Sequence, residues 1–171
     1  MLQVRETYFN LFFRIAARGV NVEGDEQADR EAHGGPDKAL YAYAVEDLRW
    51  WEEELARSLP FGQFGENVTT EGIAVNDALV GERWEIGSTV LEVSEPRVPC
   101  WRLGVRMDDS LFARRFTEAL RPGTYLRIIV EGDLGAGDEI RVTRAKPRTA
   151  PRDARARRLT LVTGERWRAL T

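Results

Sequence analysis

The only cysteine of the chain lies in a segment that is suited to presenting one reactive sulfur atom. Cys100 stands within the stretch Pro96-Arg97-Val98-Pro99-Cys100-Trp101-Arg102 of this 171-residue sequence. Two prolines within four residues fix φ and bias their neighbours toward extended backbone, so the stretch is stiff. Positive charge from Arg97 and Arg102 favours the thiolate, which is both the nucleophile and the soft metal ligand. The alternative is that Cys100 is a small buried hydrophobic residue.

A second candidate is a glycine-rich loop with the sequence His33-Gly34-Gly35-Pro36-Asp37-Lys38. The two glycines allow backbone N–H groups to approach an anion closely, and Lys38 adds a point charge. His33 adds a hydrogen bond or a proton, because histidine titrates near neutral pH. The loop is therefore a candidate cradle for an oxyanion, and an ordinary exposed turn is the alternative.

A third cluster of polar residues lies between glycines further along the chain. The stretch Phe64-Gly65-Glu66-Asn67-Val68-Thr69-Thr70-Glu71-Gly72 brings amide, hydroxyl and carboxylate groups together. Asn67 and Thr69 suit the recognition of a polar heterocycle, although such side chains also satisfy turns and strand ends. Arg127 interrupts an otherwise apolar strand, so it lies on the solvent face or points inward at an anionic ligand.

Short strands and two helices must hold these residues in place. A helix is predicted at 46–57, where an acidic start precedes hydrophobic residues at three- and four-residue spacing. A second is predicted at 110–120, after the possible caps Asp108 and Asp109 and before the stop signal Arg121-Pro122-Gly123. Strands are predicted in two pairs: 83–86 with 89–95, joined by a Gly87-Ser88 hairpin turn, and 125–130 with 139–143, joined by a glycine-rich loop at 132–138. We therefore predict a mainly β fold with α decorations, a small β-barrel or sandwich with short inserted helices.

Composition restricts the classes of function. The chain is 43% hydrophobic with a net charge of −3, which fits a globular domain and argues against a dedicated polyanion binder. One Cys and one His exclude an intrachain disulfide, a Cys/His zinc site and a protein-ligated iron–sulfur cluster. No apolar run approaches the roughly 18 residues of a membrane span, and no signal peptide is recognisable. We therefore expect a cytoplasmic protein with no membrane partner.

Charge is unevenly distributed along the chain. Residues 1–100 carry 9 Lys and Arg against 19 Asp and Glu, whereas residues 101–171 carry 16 against 9. Residues 146–171 alone carry 8 basic and 2 acidic side chains. Because this basic tail has no recognised reader fold, we do not expect nucleic acid as the partner.

Four motifs, taken in order, resemble those of the MOSC domain, which is named after the C-terminal domain of molybdenum-cofactor sulfurase. They are Glu23-Gly24-Asp25-Glu26-Gln27-Ala28-Asp29, His33-Gly34-Gly35-Pro36-Asp37-Lys38-Ala39, the stretch from Phe64 to Gly72 given above, and Val93-Ser94-Glu95-Pro96-Arg97-Val98-Pro99-Cys100-Trp101-Arg102-Leu103. The resemblance covers about residues 20 to 143 and is closest to small stand-alone bacterial members related to N-hydroxylaminopurine reductases. We accordingly divide the chain into an atypical N-terminal segment at 1–19, a MOSC domain at 20–145 and the basic tail at 146–171.

The resemblance implies a MOSC-type β-barrel fold that binds a molybdenum cofactor (molybdopterin), with Cys100 as the protein ligand of the metal. A pterin dithiolene and a protein thiolate form a soft ligand set that suits a redox metal. We do not expect the protein to bind pyridoxal phosphate as a cofactor. The candidate residues for binding the pterin and its phosphate are His33, Lys38, Asn67, Thr69 and Arg97. Arg127 is added as a further candidate because of its position in a strand.

The family further implies a reductase of N-hydroxylated bases or related N-hydroxylated small molecules. The cofactor would catalyse the removal of the oxygen atom, while protein groups position and protonate the substrate. His33 is the expected catalytic proton donor beside Cys100. Electrons must come from outside, because the chain has no second Cys for an iron–sulfur relay and no dinucleotide-binding fingerprint. We therefore expect a separate electron-donating reductase as a partner.

Two other functions stay open for the same residues. Cys100 with His33 as its base fits thiol-dependent acyl or sulfur transfer. The chain also fits a non-catalytic carrier that holds the cofactor or a persulfide for delivery. Molybdenum content, sensitivity to iodoacetamide and turnover of N-hydroxylated bases distinguish these alternatives from the reductase. The natural substrate and the oligomeric state are left open.

Overall fold

The structure, a computed structural model, describes residues 3–5, 14–24 and 34–143, with the backbone alone at residues 3–5. The strands within these ranges are β1 Gln3–Arg5, β2 Arg14–Arg18, β3 Asn21–Val22, β4 Leu40–Ala44, β5 Val68–Glu71, β6 Arg83–Ile86, β7 Thr89–Pro96, β8 Thr124–Val130, β9 Gly132–Gly135 and β10 Ile140–Thr143. The α-helices within them are α1 Val45–Leu55, α2 Trp101–Met107 and α3 Phe112–Glu118. None of these helices has the length and hydropathy of a membrane-spanning helix.

Two sheets form the framework of the described part of the chain. The larger has seven strands in the order β1-β5-β4-β8-β7-β6-β10, and the smaller has three in the order β3-β2-β9. β4 and β5 run parallel and are connected through α1, as a parallel pair requires a crossover. The other paired strands in these ranges are antiparallel. The prediction of a mainly β fold with short inserted helices is confirmed.

β4 is buried on both faces and separates two hydrophobic cores. Leu40, Ala42 and Ala44 face one core, whereas Tyr41 and Tyr43 face the other, because successive side chains of a strand point to opposite faces. The first core consists otherwise of side chains from both sheets, most of them aliphatic. The second core is aromatic and lies under the helices.

The aromatic core fixes the helices on the sheet. Trp51 of α1 stacks on Phe116 of α3 with ring centroids 5.7 Å apart, and its Nε1 donates a hydrogen bond to Tyr43 Oη at 3.1 Å. Phe64 packs edge-on against Tyr43 at 5.1 Å. Leu103 of α2 is buried in the same core. Burial of each such side chain stabilises the fold by roughly 1.5–3 kcal/mol, so α2 is held firmly in place.

Most of the predicted elements are present. The hairpin predicted at 83–86 and 89–95 is confirmed as β6 and β7. The helix predicted at 46–57 is α1, which ends at Leu55 because Ala56 adopts a left-handed conformation and closes the last turn. The helix predicted at 110–120 is the shorter α3, which follows Asp109, whose Oδ1 accepts a hydrogen bond from the N–H of Leu111 at 2.9 Å.

Two expectations need correction. Helix α2 at Trp101–Met107 was not predicted. The loop predicted at 132–138 begins with a strand, β9, which pairs with β2. Gly132 permits this arrangement, because a Cβ there would lie 2.4 Å from the carbonyl oxygen of Ser88 in the hairpin turn. β10, predicted at 139–143, pairs with β6. Of the N-terminal segment at 1–19, residues 3–5 and 14–18 form strands. The basic tail at 146–171 lies outside the described residues.

Gly123, at the start of the chain segment that leads into β8, generates a stability prediction. Its φ is +68°, and a Cβ there would lie 2.6 Å from the carbonyl oxygen of Ala42 and 2.8 Å from the Tyr43 ring. We expect Gly123→Ala to lower the free energy of unfolding by about 2–4 kcal/mol, from left-handed strain and overpacking together. Urea unfolding followed by tryptophan fluorescence measures this loss.

The matched control for Gly123→Ala is Gly137→Ala. Gly137 has a φ of +85° but no atom within 4 Å of an added Cβ. We expect this substitution to cost only the strain of the left-handed conformation, about 1–2 kcal/mol. Equal losses for the two variants would contradict a steric role for Gly123.

Candidate active site

Cys100 lies at the junction between a strand and a helix. β7 ends at Pro96, and Cys100, with extended backbone at φ −118°, immediately precedes α2. Its carbonyl oxygen accepts a hydrogen bond from the N–H of Leu103 at 3.0 Å. Because Leu103 and Met107 are buried in the aromatic core, the helix anchors the backbone of Cys100 while its side chain stays partly exposed.

A cavity of about 230 Å³ opens beside Cys100. Its lining residues come from β7, the turn after β7, the loop before β4 and the start of β8: Lys38, Glu95, Pro96, Val98, Pro99, Cys100 and Tyr125. A single thiol, one ammonium group, one carboxylate and one phenol therefore converge on the same space. This combination of a nucleophilic or metal-binding atom with cationic and hydrogen-bonding groups makes the cavity the candidate active site.

Lys38 reaches the cavity from the glycine-rich loop. The loop contains a 3₁₀ turn at Pro36–Lys38, and the ammonium group of Lys38 lies 3.6 Å from Glu95 Oε1 and 5.9 Å from the centre of the Tyr125 ring. The structure therefore brings two of the predicted site residues, Lys38 and Cys100, to one cavity. His33 precedes this turn but lies outside the described residues.

Arg97 is a partly buried cation next to this cavity. Its guanidinium donates a hydrogen bond to the carbonyl oxygen of Phe64 and lies 4.5 Å from the centre of the Tyr41 ring and 5.8 Å from that of Phe116, within the range of cation–π attraction. Burial acts to lower the pKa of Arg97, but interactions with neighbouring groups, Cys100 among them, raise it overall. Arg97 therefore stays charged beside the segment that carries Cys100.

Glu66 is the buried carboxylate behind Arg97. It is 3% exposed, and its two oxygens accept hydrogen bonds from the backbone N–H groups of Gly62 at 2.7 Å and Phe64 at 3.0 Å. Burial raises the pKa of Glu66, although these hydrogen bonds and the charge of Arg97 oppose the shift. Glu66 thus fixes the loop whose Phe64 carbonyl holds Arg97.

Tyr125 supplies a protonated phenol to the cavity. Burial raises the pKa of Tyr125, with Arg97 opposing the shift and the charges of Cys100 and Glu95 adding to it. The ring lies 5.3 Å from that of Tyr41. The phenol keeps its proton at neutral pH and can donate a hydrogen bond into the cavity.

Asn67 immediately precedes β5, and Thr69 lies within this strand. Asn67 Oδ1 accepts a hydrogen bond from the Tyr41 N–H at 2.8 Å, so this side chain secures β4 next to β5. Thr69 is fully buried on β5, and its Oγ1 finds no hydrogen-bond partner within the described residues. Neither residue lines the Cys100 cavity, and their roles in cofactor binding stay predictions.

Arg127 also lies away from the lining of the cavity. Its Nε is 3.1 Å from Asp37 Oδ1 and its Nη1 is 3.7 Å from Glu92 Oε1. Two carboxylates therefore balance its charge. Through Asp37, Arg127 supports the turn that carries Lys38, and a direct contact with a cofactor stays a prediction.

Four residues around the site were not predicted from the sequence: Tyr41, Glu66, Glu95 and Tyr125. Glu66 stands within a quoted motif, and its position between glycines was a usable signal for a loop-fixing carboxylate. Tyr125 and Tyr41 carry no local signal, because only the pairing of β4 with β8 brings their rings together. Arg102 was expected beside the sulfur, but it is absent from the lining of the Cys100 cavity, and its guanidinium lies 5.9 Å from the Trp101 ring centre.

A larger cavity, of about 670 Å³, lies at the carboxyl ends of β4 and β5 and is lined in part by Asp47, Asn76 and Arg121. Asp47 accepts a hydrogen bond from Asn76 Nδ2 at 2.6 Å and pairs with Arg121. These polar groups satisfy one another, and no thiol lines the cavity. The smaller Cys100 cavity is therefore the better candidate for chemistry.

The residues around Cys100 fit a metal whose other ligands come from a cofactor. Within the described ranges no three His, Cys, Asp or Glu side chains converge on one point, so this part of the protein offers no complete ligand set of its own. The Cys100 thiol is a single soft donor that opens to a cavity, with Lys38 and Arg97 as nearby cations. This donor set fits a dithiolene-bound, anionic cofactor.

Comparisons with known proteins identify the fold and the family. A sequence model of the MOSC domain matches residues 29–141. The crystal structure of YiiM from Geobacillus stearothermophilus superimposes with a TM-score of 0.62 at 31% identity, covering 64% of this chain and 56% of that one. This likeness confirms the MOSC-type fold that the sequence analysis predicts. The match lies inside the predicted domain at 20–145, whose bounds stay a prediction.

Three curated relatives share sequence with the chain. The uncharacterized protein YflK of Bacillus subtilis is 37% identical over 117 residues, covering 68% of this chain and 53% of the relative. Protein YiiM of Escherichia coli is 33% identical over 120 residues, with shares of 68% and 54%. A protein of Gibberella moniliformis named "Reductase" is 31% identical over 130 residues, with shares of 74% and 23%. The chain thus spans about half the length of the two bacterial relatives.

The buried carboxylate generates a pH prediction. Because burial raises the pKa of Glu66 above its ordinary 4.5, the folded state holds this proton more tightly than the unfolded chain does. The contribution of Glu66 to stability is complete below the unfolded-state pKa and is lost as the pH rises through the folded-state pKa. We expect the free energy of unfolding of wild type, minus that of Glu66→Gln, to decrease as the pH rises from about 4 to 7.

Urea unfolding at several pH values checks this expectation. Leu79→Ala, which removes a side chain that is 58% exposed and carries no titratable group, serves as the control for the pH dependence of the rest of the protein. A difference between wild type and Glu66→Gln that is constant or grows with pH would contradict the assignment.

Proposed function

The chain belongs to the MOSC domain family, and on that premise we propose that it is an oxidoreductase that binds a molybdenum cofactor and reduces N-hydroxylated bases or related compounds. The observation that carries the proposal is the opening of Cys100 to a cavity that it shares with Lys38 and Tyr125. The name "Reductase" of the fungal relative supports an oxidoreductase. Cytoplasmic location is part of the proposal, because the one cysteine is free.

Cys100 would hold the molybdenum of the cofactor through its sulfur atom. Lys38 at the cavity and Arg97 beside it would attract the anionic pterin and its phosphate. Thr69 is the described residue with an unsatisfied buried hydroxyl, which suits a hydrogen bond to a bound molecule. Asn67 and Arg127 would support the binding elements through Tyr41 and Asp37. When bound, the cofactor supplies the two-electron redox centre at which the N–O bond breaks.

The proposed reaction converts R–NHOH, two electrons and two protons into R–NH₂ and water. The N–O bond breaks, the nitrogen is reduced, and the oxygen leaves as water. The Tyr125 phenol would donate a hydrogen bond to the departing oxygen, and His33 stays the predicted proton donor. The electrons would come from a separate reductase, because the sequence contains neither a second cysteine nor a dinucleotide fingerprint.

A turnover assay tests the proposal. Protein expressed with molybdate, supplied with a chemical electron donor, should convert an N-hydroxylated purine base into the amine. We expect Cys100→Ala to lower kcat by about a hundredfold or more, because the redox centre loses its protein ligand. Leu79→Ala is the control, since Leu79 is exposed and absent from the lining of this cavity.

The other outcomes of the assay distinguish the alternative functions. Molybdenum binding without turnover of any N-hydroxylated base would favour a carrier of the cofactor. Iodoacetamide-sensitive transfer activity in molybdenum-free protein would favour the thiol-dependent transferase. Either result, or full activity of Cys100→Ala, would overturn the proposed reductase.

A further inference from the structure

Among the described residues that line the Cys100 cavity, Glu95 is the one with a carboxylate. Its side chain is 45% exposed and shares the cavity with Cys100 and Tyr125. A carboxylate repels phosphate oxygens, whereas it accepts hydrogen bonds from N–H groups. Glu95 therefore does not suit the phosphate of a cofactor, and it fits the part of a ligand that carries N–H donors.

A β-bulge turns the side chain of Glu95 toward this cavity. Val93 of β7 lies opposite Leu126 of β8, and both face the mostly aliphatic core. The neighbouring residue of β8, Tyr125, packs on the other face of the sheet and lies opposite Glu95, two residues after Val93. Regular alternation would keep Glu95 on the face of Val93. The additional residue, Ser94, instead brings Glu95 to the face of Tyr125, and bulges redirect side chains in this way next to active sites.

Hydrogen bonds hold the backbone at the bulge. The carbonyl oxygen of Glu95 accepts a hydrogen bond from Oγ1 of the buried Thr124 at 3.1 Å. The Ser94 hydroxyl donates a hydrogen bond to the carbonyl oxygen of Asp37, in the turn that carries Lys38. The bulge thus fixes Glu95 and Lys38 relative to each other. A wall whose groups are fixed in advance binds one arrangement of donors and acceptors selectively.

Lys38 balances the charge of Glu95 without occupying its acceptor sites. The ammonium group lies 3.6 Å from Glu95 Oε1, which is longer than the roughly 2.7–2.9 Å of a charge-assisted hydrogen bond. In the part of the chain that the structure describes, no group donates a hydrogen bond to either carboxylate oxygen. The two oxygens are therefore available to N–H groups of a ligand, and this wall of the cavity stays electrically balanced.

Two adjacent N–H donors on a planar ring match the two oxygens of a carboxylate. Such donors form paired, charge-assisted hydrogen bonds to the two oxygens, and an amino group next to a ring N–H of a purine provides them. The Tyr125 phenol, on the same face of the sheet, adds a donor for an acceptor atom of the ring. The cavity of about 230 Å³ is smaller than the roughly 300–1,000 Å³ of most ligand pockets, so a ligand that reaches Cys100 also meets Glu95.

We infer that Glu95 determines substrate specificity by accepting hydrogen bonds from an amino group of the substrate, so that the site prefers N-hydroxylated purines with a 2-amino group. The reacting end rests on the proposed function, whereas the preference of the cavity for the amino group does not. The 2-amino group and the N-hydroxylated 6-nitrogen lie on the same edge of a purine, so one planar ligand can direct the N–OH group toward Cys100 and the amino group toward Glu95. A purine without the amino group leaves the carboxylate unpaired, which lowers affinity.

A binding experiment tests this contact without turnover. Molybdenum-loaded full-length protein, without an electron donor, is titrated by calorimetry with 2,6-diaminopurine and with adenine, which differ only in the 2-amino group. We expect wild type to bind 2,6-diaminopurine about tenfold more tightly and Glu95→Met, which keeps the chain length but removes the acceptor, to lose this preference. Glu85→Met is the matched control, because Glu85 is 49% exposed, lies 3.7 Å from Arg141 Nη1 and is absent from the lining of the cavity. Equal affinities in wild type, no binding of either amine, or a preference retained by Glu95→Met would overturn the inference.

A kinetic experiment connects the contact to the reaction. With a chemical electron donor, kcat/KM is measured for 2-amino-6-hydroxylaminopurine and for 6-hydroxylaminopurine. We expect the ratio of the two values to fall about tenfold in Glu95→Met, mainly through KM, and to stay constant in Glu85→Met. Equal losses for both substrates would assign Glu95 a structural role beside Lys38 and overturn the inference. If wild type reduces neither compound, the proposed function fails, while the titration still decides whether Glu95 binds the amino group.

Discussion

The partly buried charge of Arg97 is the constraint on which the candidate site depends. A cation withdrawn from water costs free energy unless neighbouring groups compensate it. Here the Phe64 carbonyl, the Tyr41 ring and the carboxylate of Glu66 surround it. The Phe64 carbonyl and Glu66 belong to the loop before β5, and Tyr41 belongs to strand β4. The compensation of one charge therefore fixes this loop, strand β4 and the segment that carries Cys100 relative to one another.

The aromatic core explains why this arrangement can be rigid on a small domain. β4 is covered on both faces, and its tyrosines reach into the layer of rings that α1, α2 and α3 close. The helix that follows Cys100 is only 7 residues long, too short to be stable alone. Its buried Leu103 and Met107 supply the stability that helix propensity does not. The position of the thiol therefore depends on packing far from the cavity itself.

Local patterns in the sequence were sufficient for some parts of this structure and not for others. The Gly87-Ser88 turn and the alternation of Leu91 and Val93 define the β6–β7 hairpin, because turn geometry and burial period are local signals. Helix α2 was not predicted because Gly104 within it and two prolines before it obscure the helical spacing of its hydrophobic residues. The roles of Tyr125 and Glu66 were missed because they arise from strand pairing and burial, which no short stretch reveals. Cys100 was recognisable because it lies in a segment stiffened by two prolines, and Lys38 because it is a cation in a glycine-rich loop.

The central claim is that the sulfur of Cys100 bonds to molybdenum in a cofactor-loaded cavity. X-ray absorption at the molybdenum K-edge tests it most directly, on protein expressed with molybdate as wild type and as Cys100→Ala. The account predicts one sulfur ligand more around the metal in wild type than in the variant, or loss of the metal from a folded variant. Identical molybdenum content and identical sulfur coordination in the two proteins would contradict it.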